Sequence, residues 1–230
     1  MCGLGSRRQV EEIVTAKRVK VNEKLVTNLA TDIDPQNDKV SVDGKKVAAI
    51  HKHLYIALHK PKGCVCTTND EKGRKTVLDY IDNKFKNKRI FPVGRLDYET
   101  EGLLLLTTDG ETANRILHPS SELAKTYQVR IEGEIPEKDL DKMRKGLEID
   151  GVKLKPCKVK MLEVYEDNTT RLEVTISEGR NRQVRRMFDT FNRSIVFLKR
   201  TAIGEIRLGG LSRGEMRELT PKEIDFLKRI

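Results

Sequence analysis

The chain has 230 residues, 37% apolar and 35% charged, with a formal charge of +10. That is enough chain for one or two domains with a real core, and the excess of Lys and Arg points to a polyanion, nucleic acid first, over a merely solvated basic surface. Tryptophan is absent and aromatics make up 5%, which argues against a large aromatic-lined pocket for a small molecule. No apolar run approaches the roughly 18 residues of a membrane span. The N-terminal MCGLGSRR lacks an apolar secretory core, so a cytoplasmic location without a membrane partner is expected.

The first element is a helix. Ser6 followed by Gln9 is a capping-box pattern, and Val10, Ile13 and Val14 recur at helical spacing. Arg7 and Arg8 fall in its first turn, where side chains and free N–H groups can meet phosphate together. KRVKVNEKLV reads as strand, turn, strand, with a turn at 33–38 after it. Val40–Lys45 then reads as a strand running into an Asp43-Gly44 hairpin. Residues 1–47 thus form a small basic α/β module, 48–53 a linker, and 54–230 a larger unit.

In that unit YIALHKPKG is a strand running into a basic loop, and KTVLDYI a short helix. Leu103 to Thr107 is apolar without alternation, so it wants cover on both faces. ETANRILH is a short helix stopped by Pro119, and KTYQVRIEG a strand with Tyr127, Val129 and Ile131 on one face. Pro136 opens a helix that Gly146 closes. Strands LKPCKVKMLEVYE and RLEVTISEG follow, and then the helix NRQVRRMFDTFN, whose core stripe is Val184, Met187, Phe188 and Phe191. Thr220-Pro221 begins a last helix. Strands outnumber helices and hairpins outnumber crossovers, so the fold class is α+β with a mixed, mainly antiparallel sheet.

The cysteines, Cys2, Cys64, Cys66 and Cys157, have no metal-ligand spacing with the histidines. They read as reduced, structural thiols, and neither a metal nor a cofactor is expected. Asp97 is the candidate for chemistry. It sits in GRLDYETEG, a loop that Gly94 and Gly102 let bend, at the mouth of the apolar strand. The plain alternative is a turn aspartate capping its own backbone. A carboxylate nucleophile has to stay ionised and so wants a cation beside it. Arg95 is two residues away, and EGRNRQVRRM offers Arg180, Arg182, Arg185 and Arg186, with Arg182 and Arg185 expected three apart on one helix flank.

GRLDYETEGLLLLTTDG resembles the catalytic signature of RsuA/RluB-type ribosomal-RNA pseudouridine synthases. YIALHKPKG, KTYQV, ISEGRNRQVRRMF and LKRTAIGEIRLGGLSRGEMREL lie in the order of that family's blocks, along nearly the whole chain. SRRQVEEIVTAKRVKVNEKLV is similar to the alpha-L RNA-binding module of the small-subunit ribosomal protein S-four type. It departs from that module in two ways: only Met1 to Leu4 precede it, so the module's first helix is expected to be truncated, and Glu23 stands at the usual turn glycine.

The resemblance implies isomerisation of uridine to pseudouridine in ribosomal RNA, by a monomer without cofactor, on a base flipped out of its stack. Asp97 is then the nucleophile, Tyr127 the ring packing on the base, Ile176 the apolar residue closing its other side, and Arg185 the basic partner of Asp97. Arg95, Arg180, Arg182 and Lys62 are implied as RNA backbone contacts. At this level Tyr127 could still be an ordinary strand tyrosine, Ile176 plain core, and Arg185 a phosphate contact. The rival functions are a non-catalytic rRNA-binding or assembly factor and a tRNA-specific synthase.

Overall fold

A computed structural model describes residues 4–48 and 52–230. Cys2 and residues 49–51 of the expected 48–53 linker, His51 among them, lie outside the described residues. The chain divides into two compact units, Met1–His53 with Asn87–Arg89, and Leu54–Lys86 with Ile90–Ile230.

In the smaller unit α1 (Arg7–Thr15) carries the full capping box. The Ser6 hydroxyl accepts from Gln9 N at 3.1 Å, and Gln9 Oε1 accepts from Ser6 N at 2.7 Å. Strands β1 (Val19–Val21), β2 (Lys24–Val26), β3 (Val40–Val42) and β4 (Lys45–Val47) form an antiparallel sheet in the order β2-β1-β3-β4. Both hairpins turn through two left-handed residues, Asn22 and Glu23 (φ 48° and 64°) and Asp43 and Gly44 (φ 50° and 75°). That geometry matches the strand twist. Glu23 adopts it without glycine, at a cost of about 1 kcal/mol.

The larger unit is built on one sheet. Its elements in chain order begin with β5 (Tyr55–Lys60), β6 (Phe91–Val93), β7 (Glu101–Thr107), α2 (Gly110–Leu117), β8 (Lys125–Glu132) and α3 (Glu137–Lys145). A small hairpin, β9 (Glu148–Ile149) and β10 (Val152–Lys153), stands apart from the sheet. Then come β11 (Lys158–Val164), β12 (Thr169–Ile176), α4 (Gln183–Asp189), β13 (Ile195–Ile203), β14 (Ile206–Arg207), β15 (Met216–Glu218) and α5 (Pro221–Arg229). The strand order is β11-β12-β8-β13-β7-β5-β15, with β14 on β13 and β6 on β7. Among the described strand pairs only β7 with β13 is parallel. The class is α+β with a mixed, mainly antiparallel sheet, as the patterning suggests.

The four leucines of β7 show why that strand does not alternate. Leu103 and Leu105 face a core with Ile203, Ile206, Leu219 and Leu227. Leu104 and Leu106 face another, with Ile56, Leu58, Val77 and Phe85. Each fully buried leucine contributes about 1.5–3 kcal/mol, so the strand following the Asp97 loop is held from both sides. Gly102 is required by the parallel register. It lies opposite Arg200 with φ 115°, and a Cβ there would sit 2.2 Å from the Arg200 carbonyl oxygen.

Two expected helices differ. KTVLDYI makes only a 3₁₀ turn, Val77–Tyr80, because Ile81 returns to extended backbone at ψ 133°. The helix expected over 181–192 is the shorter α4, because Arg182 takes a left-handed φ of 48° at its N-cap.

Candidate active site

Five elements surround a cavity of about 480 Å³ in the larger unit: the 93–100 loop, the segment after α2, β8, the β12–α4 turn and β13. Asp97, Arg95, Tyr127, Ile176, Arg180, Arg182 and Arg185 all border it. Lys62 does not; its Nζ lies 5.5 Å from the centre of the Phe197 ring. Arg7 and Arg8 belong to the smaller unit, on the exposed first turn of α1.

Tyr127 is buried on β8, opposite Val174 on one side and Arg200 on the other. Ile176 ends β12 opposite Lys125. Tyr127 and Ile176 belong to one apolar cluster with Leu96, Val184 and Leu198, so they are core residues that also form the cavity wall. The two readings left open for them are compatible.

Asp97 is half-buried. Its carbonyl accepts from Thr100 N at 3.0 Å, which closes a tight turn. The Arg185 guanidinium does not sit on the Asp97 carboxylate as a paired partner. Its Nη2 donates to Glu99 O at 3.2 Å and reaches Thr100 Oγ1 at 3.4 Å. From α4 its hydrogen bonds go to a carbonyl and a hydroxyl at the far end of the turn. Burial and neighbouring Arg182 pull the Arg185 pKa down, while Asp97 and Glu99 oppose that. Arg182 is a correction too, since it caps α4 in left-handed conformation instead of sharing a helical flank with Arg185.

The residue that sequence reasoning missed is Lys60. It ends β5, a strand buried at all six positions, and is itself 0% exposed. Its Nζ donates to the carbonyls of Pro61 at 3.0 Å, Asp97 at 3.1 Å and Thr100 at 2.9 Å. One ammonium therefore spans both ends of the Asp97–Thr100 turn. Burial lowers its pKa, opposed by the nearby Cys64, Cys66, Asp97 and Glu99.

The same segment grips the loop twice more. Gly63 N donates to Tyr98 O at 3.0 Å, and Leu96 N donates to Cys66 Sγ at 3.3 Å. The signal available in the sequence was a lysine at the end of a mostly apolar strand, because a buried lysine needs acceptors.

The sequence pattern described as RNA pseudouridylate synthase matches residues 54–190, which include four of the five elements of this cavity, all but β13. The chain belongs to the pseudouridine synthase family. It is 42% identical to the ribosomal large subunit pseudouridine synthase B of Bacillus subtilis (strain 168), over 99% of this chain and 92% of that one. It is 44% identical to an RNA pseudouridine synthase of Aquifex aeolicus (strain VF5), over 96% of this chain and 88% of that one. A crystal structure of a pseudouridylate synthase superposes with a TM-score of 0.70 at 31% identity, covering 98% of this chain and 95% of the other. The enzyme is an RNA pseudouridine synthase, an isomerase. Among the described residues no helix is long and apolar enough to cross a membrane.

Proposed function

We propose that this synthase isomerises uridine in ribosomal RNA, in the cytoplasm and as a monomer, with Asp97 as nucleophile. The observation that carries this reading is the meeting of Asp97, Tyr127, Ile176 and Arg185 on one cavity, from four separate stretches of chain. Its volume, about 480 Å³, falls in the range of ligand sites and suits one nucleotide. A uridine inside a stem cannot reach it, so the base leaves its stack. It lies against Tyr127, where stacking contributes about 1–3 kcal/mol, with Ile176 closing the other side. Asp97 then acts on the nucleotide so that the C1′–N1 bond breaks and a C1′–C5 bond forms. Arg95, Arg180 and Arg182, all exposed, meet the flanking phosphates, which position the RNA without reading it.

The ribosomal substrate follows from the Bacillus relative, whose name gives the large ribosomal subunit, and from the charge of +10. The smaller unit serves as an RNA-binding module. Its capped α1 presents Arg7 and Arg8 to solvent, so a structured rRNA element is a better fit than a free nucleoside.

The arginines divide by role. Arg185→Ala frees the nucleophile turn from its hold on Glu99 and Thr100, so it should lower the single-turnover rate about 100-fold with little change in affinity. Arg182→Ala should leave the rate near normal, weaken RNA binding, and reduce the slope of log affinity against log salt by about one. Filter binding at several salt concentrations, beside single-turnover assays, separates the two. Equal affinity losses without a rate effect would cancel the division.

The reading as a whole is tested by mapping pseudouridines in rRNA from cells with and without the protein. One rRNA site should lose its modification and regain it with wild-type enzyme. Unchanged rRNA with a site lost in tRNA would move the substrate to tRNA.

A further inference from the structure

Two cations on the floor of the cavity have no carboxylate partner. At the rim the acids are committed: Glu122 pairs with Lys155, and Glu178 pairs with Arg180 at 3.1 Å while also accepting from Gln183 Nε2 at 2.9 Å. The floor is different. Arg200 borders the cavity and is 4% exposed. Its Nε donates to Leu103 O at 2.8 Å, and its Nη2 is buried without any hydrogen-bond partner. Lys125, half-buried, donates to Leu123 O at 2.7 Å. Burial, and then the neighbouring Arg200, lower its pKa.

Sheet register places both cations around the proposed base. Arg200 lies opposite Tyr127, and Lys125 lies opposite Ile176 and Ile203. The parallel pairing of Arg200 with Gly102 also fixes it directly behind the nucleophile loop. A buried guanidinium with an unpaired nitrogen is costly, and such a cost is commonly met where a ligand completes the set.

We propose that Arg200 and Lys125 hold the exocyclic oxygens of the target uracil and stabilise the negative charge that the base acquires as its bond to ribose breaks. This rests on the seating of the base between Tyr127 and Ile176. On any route to pseudouridine the C1′–N1 bond breaks heterolytically and its electron pair stays on the base, spread over N1, O2 and O4. The base turns, and an electron pair at C5 forms the C1′–C5 bond. The C5 proton then leaves to solvent and N1 gains one, so atoms and charge balance.

Neutral uracil asks little of two cations. The charged base asks much, so the interaction strengthens toward the transition state, which is what accelerates a reaction. The phosphates stay on the ribose side, within reach of the exposed arginines.

The test compares wild type, Arg200→Met, Arg200→Lys and Lys125→Gln in single turnover on a transcript carrying the mapped uridine. A second transcript carries 5-fluorouridine at that position. Conversion is read as the C-glycoside after digestion and chromatography, and affinity by filter binding. Fluorine withdraws electrons and already stabilises the charged base, so it lessens the need for the cations.

Arg200→Met is expected to lose about 100-fold in rate on uridine, with affinity within about threefold, and markedly less on 5-fluorouridine. Arg200→Lys should recover part of the loss, and Lys125→Gln should show the same dependence on fluorine with a smaller loss. If Arg200→Met fails to fold, Lys125→Gln and Arg200→Lys carry the comparison. Equal losses on both transcripts, no loss, or a loss that appears in affinity alone would overturn the proposal. Asp97→Asn run alongside separates the two levels. An active Asp97→Asn defeats the underlying assignment, whereas a dead Asp97→Asn with indifferent floor variants defeats only this inference.

Discussion

Asp97→Asn is expected to abolish release of tritium from C5-labelled uridine in rRNA, a loss on the order of 10⁴-fold or more, while RNA affinity stays equal or rises slightly. Three observations set these directions. The turn is held through main-chain groups: Lys60 takes the Asp97 carbonyl and Gly63 N the Tyr98 carbonyl. Asparagine keeps those bonds, so the loop should keep its shape. The cavity around residue 97 is lined by Arg95, Arg180, Arg182, Arg185, Lys125 and Arg200. A carboxylate there repels phosphate, and removing it makes the site a better polyanion trap. The amide retains the size of the carboxylate but neither its charge nor its nucleophilicity. Turnover and binding should therefore move apart. Undiminished tritium release would remove Asp97 from the mechanism.

Lys60→Met should give the second-largest loss and separate activity from stability. The substitution removes three charge-assisted hydrogen bonds and leaves carbonyls of Pro61, Asp97 and Thr100 without that donor. The Asp97 carbonyl keeps its bond from Thr100 N; a carbonyl left with no donor costs about 1–3 kcal/mol. Against this, methionine of similar length removes the desolvation penalty of a fully buried cation, several kcal/mol. The opposing terms are of similar size, so the net stability change should stay within about 2 kcal/mol. Nothing offsets the loss of position. With the clamp gone the turn keeps only its own Thr100 N–Asp97 O bond and is no longer anchored to β5 by that ammonium, and a misplacement near 1 Å costs about 100-fold in rate. Thermal unfolding and single-turnover kinetics on one preparation would check it. A rate that falls only in proportion to the unfolded fraction would make Lys60 a packing residue and nothing more.

Much of this was legible before any coordinates. The leucine run of β7 declares a strand covered on both faces, and Ser6 with Gln9 declares a capped helix start. A carboxylate among arginines and glycines at the mouth of that strand singles out the loop that borders the cavity, because local patterns encode local geometry. What escaped depends on pairings between distant residues or on uncommon backbone. The Lys60 clamp links residues 37 and 40 apart in sequence, and no periodicity signals it. The placement of Arg200 behind Gly102 comes from a parallel register between β7 and β13. Arg182 looked like a helical residue, since arginine favours helices, yet it adopts φ 48°. Its neighbours explain the stop: Gln183 Oε1 accepts from Arg180 N at 3.0 Å, and Gln183 N donates to Arg180 O at 3.2 Å. The pairing of Arg185 with Asp97 was a matter of family likeness, and the geometry instead gives Arg185 to the backbone of the same loop.

The most direct measurement is a crystal structure of the enzyme bound to an RNA stem-loop carrying 5-fluorouridine at the mapped position, since fluorine replaces the C5 proton, cannot leave as a cation and so stops the reaction once the C1′–C5 bond has formed. The account expects that nucleotide out of its helix, its base between Tyr127 and Ile176, and the Asp97 carboxylate in contact with it. A fluorinated base still stacked in the RNA, or seated in the cavity with the Asp97 carboxylate turned away from it, would contradict the account.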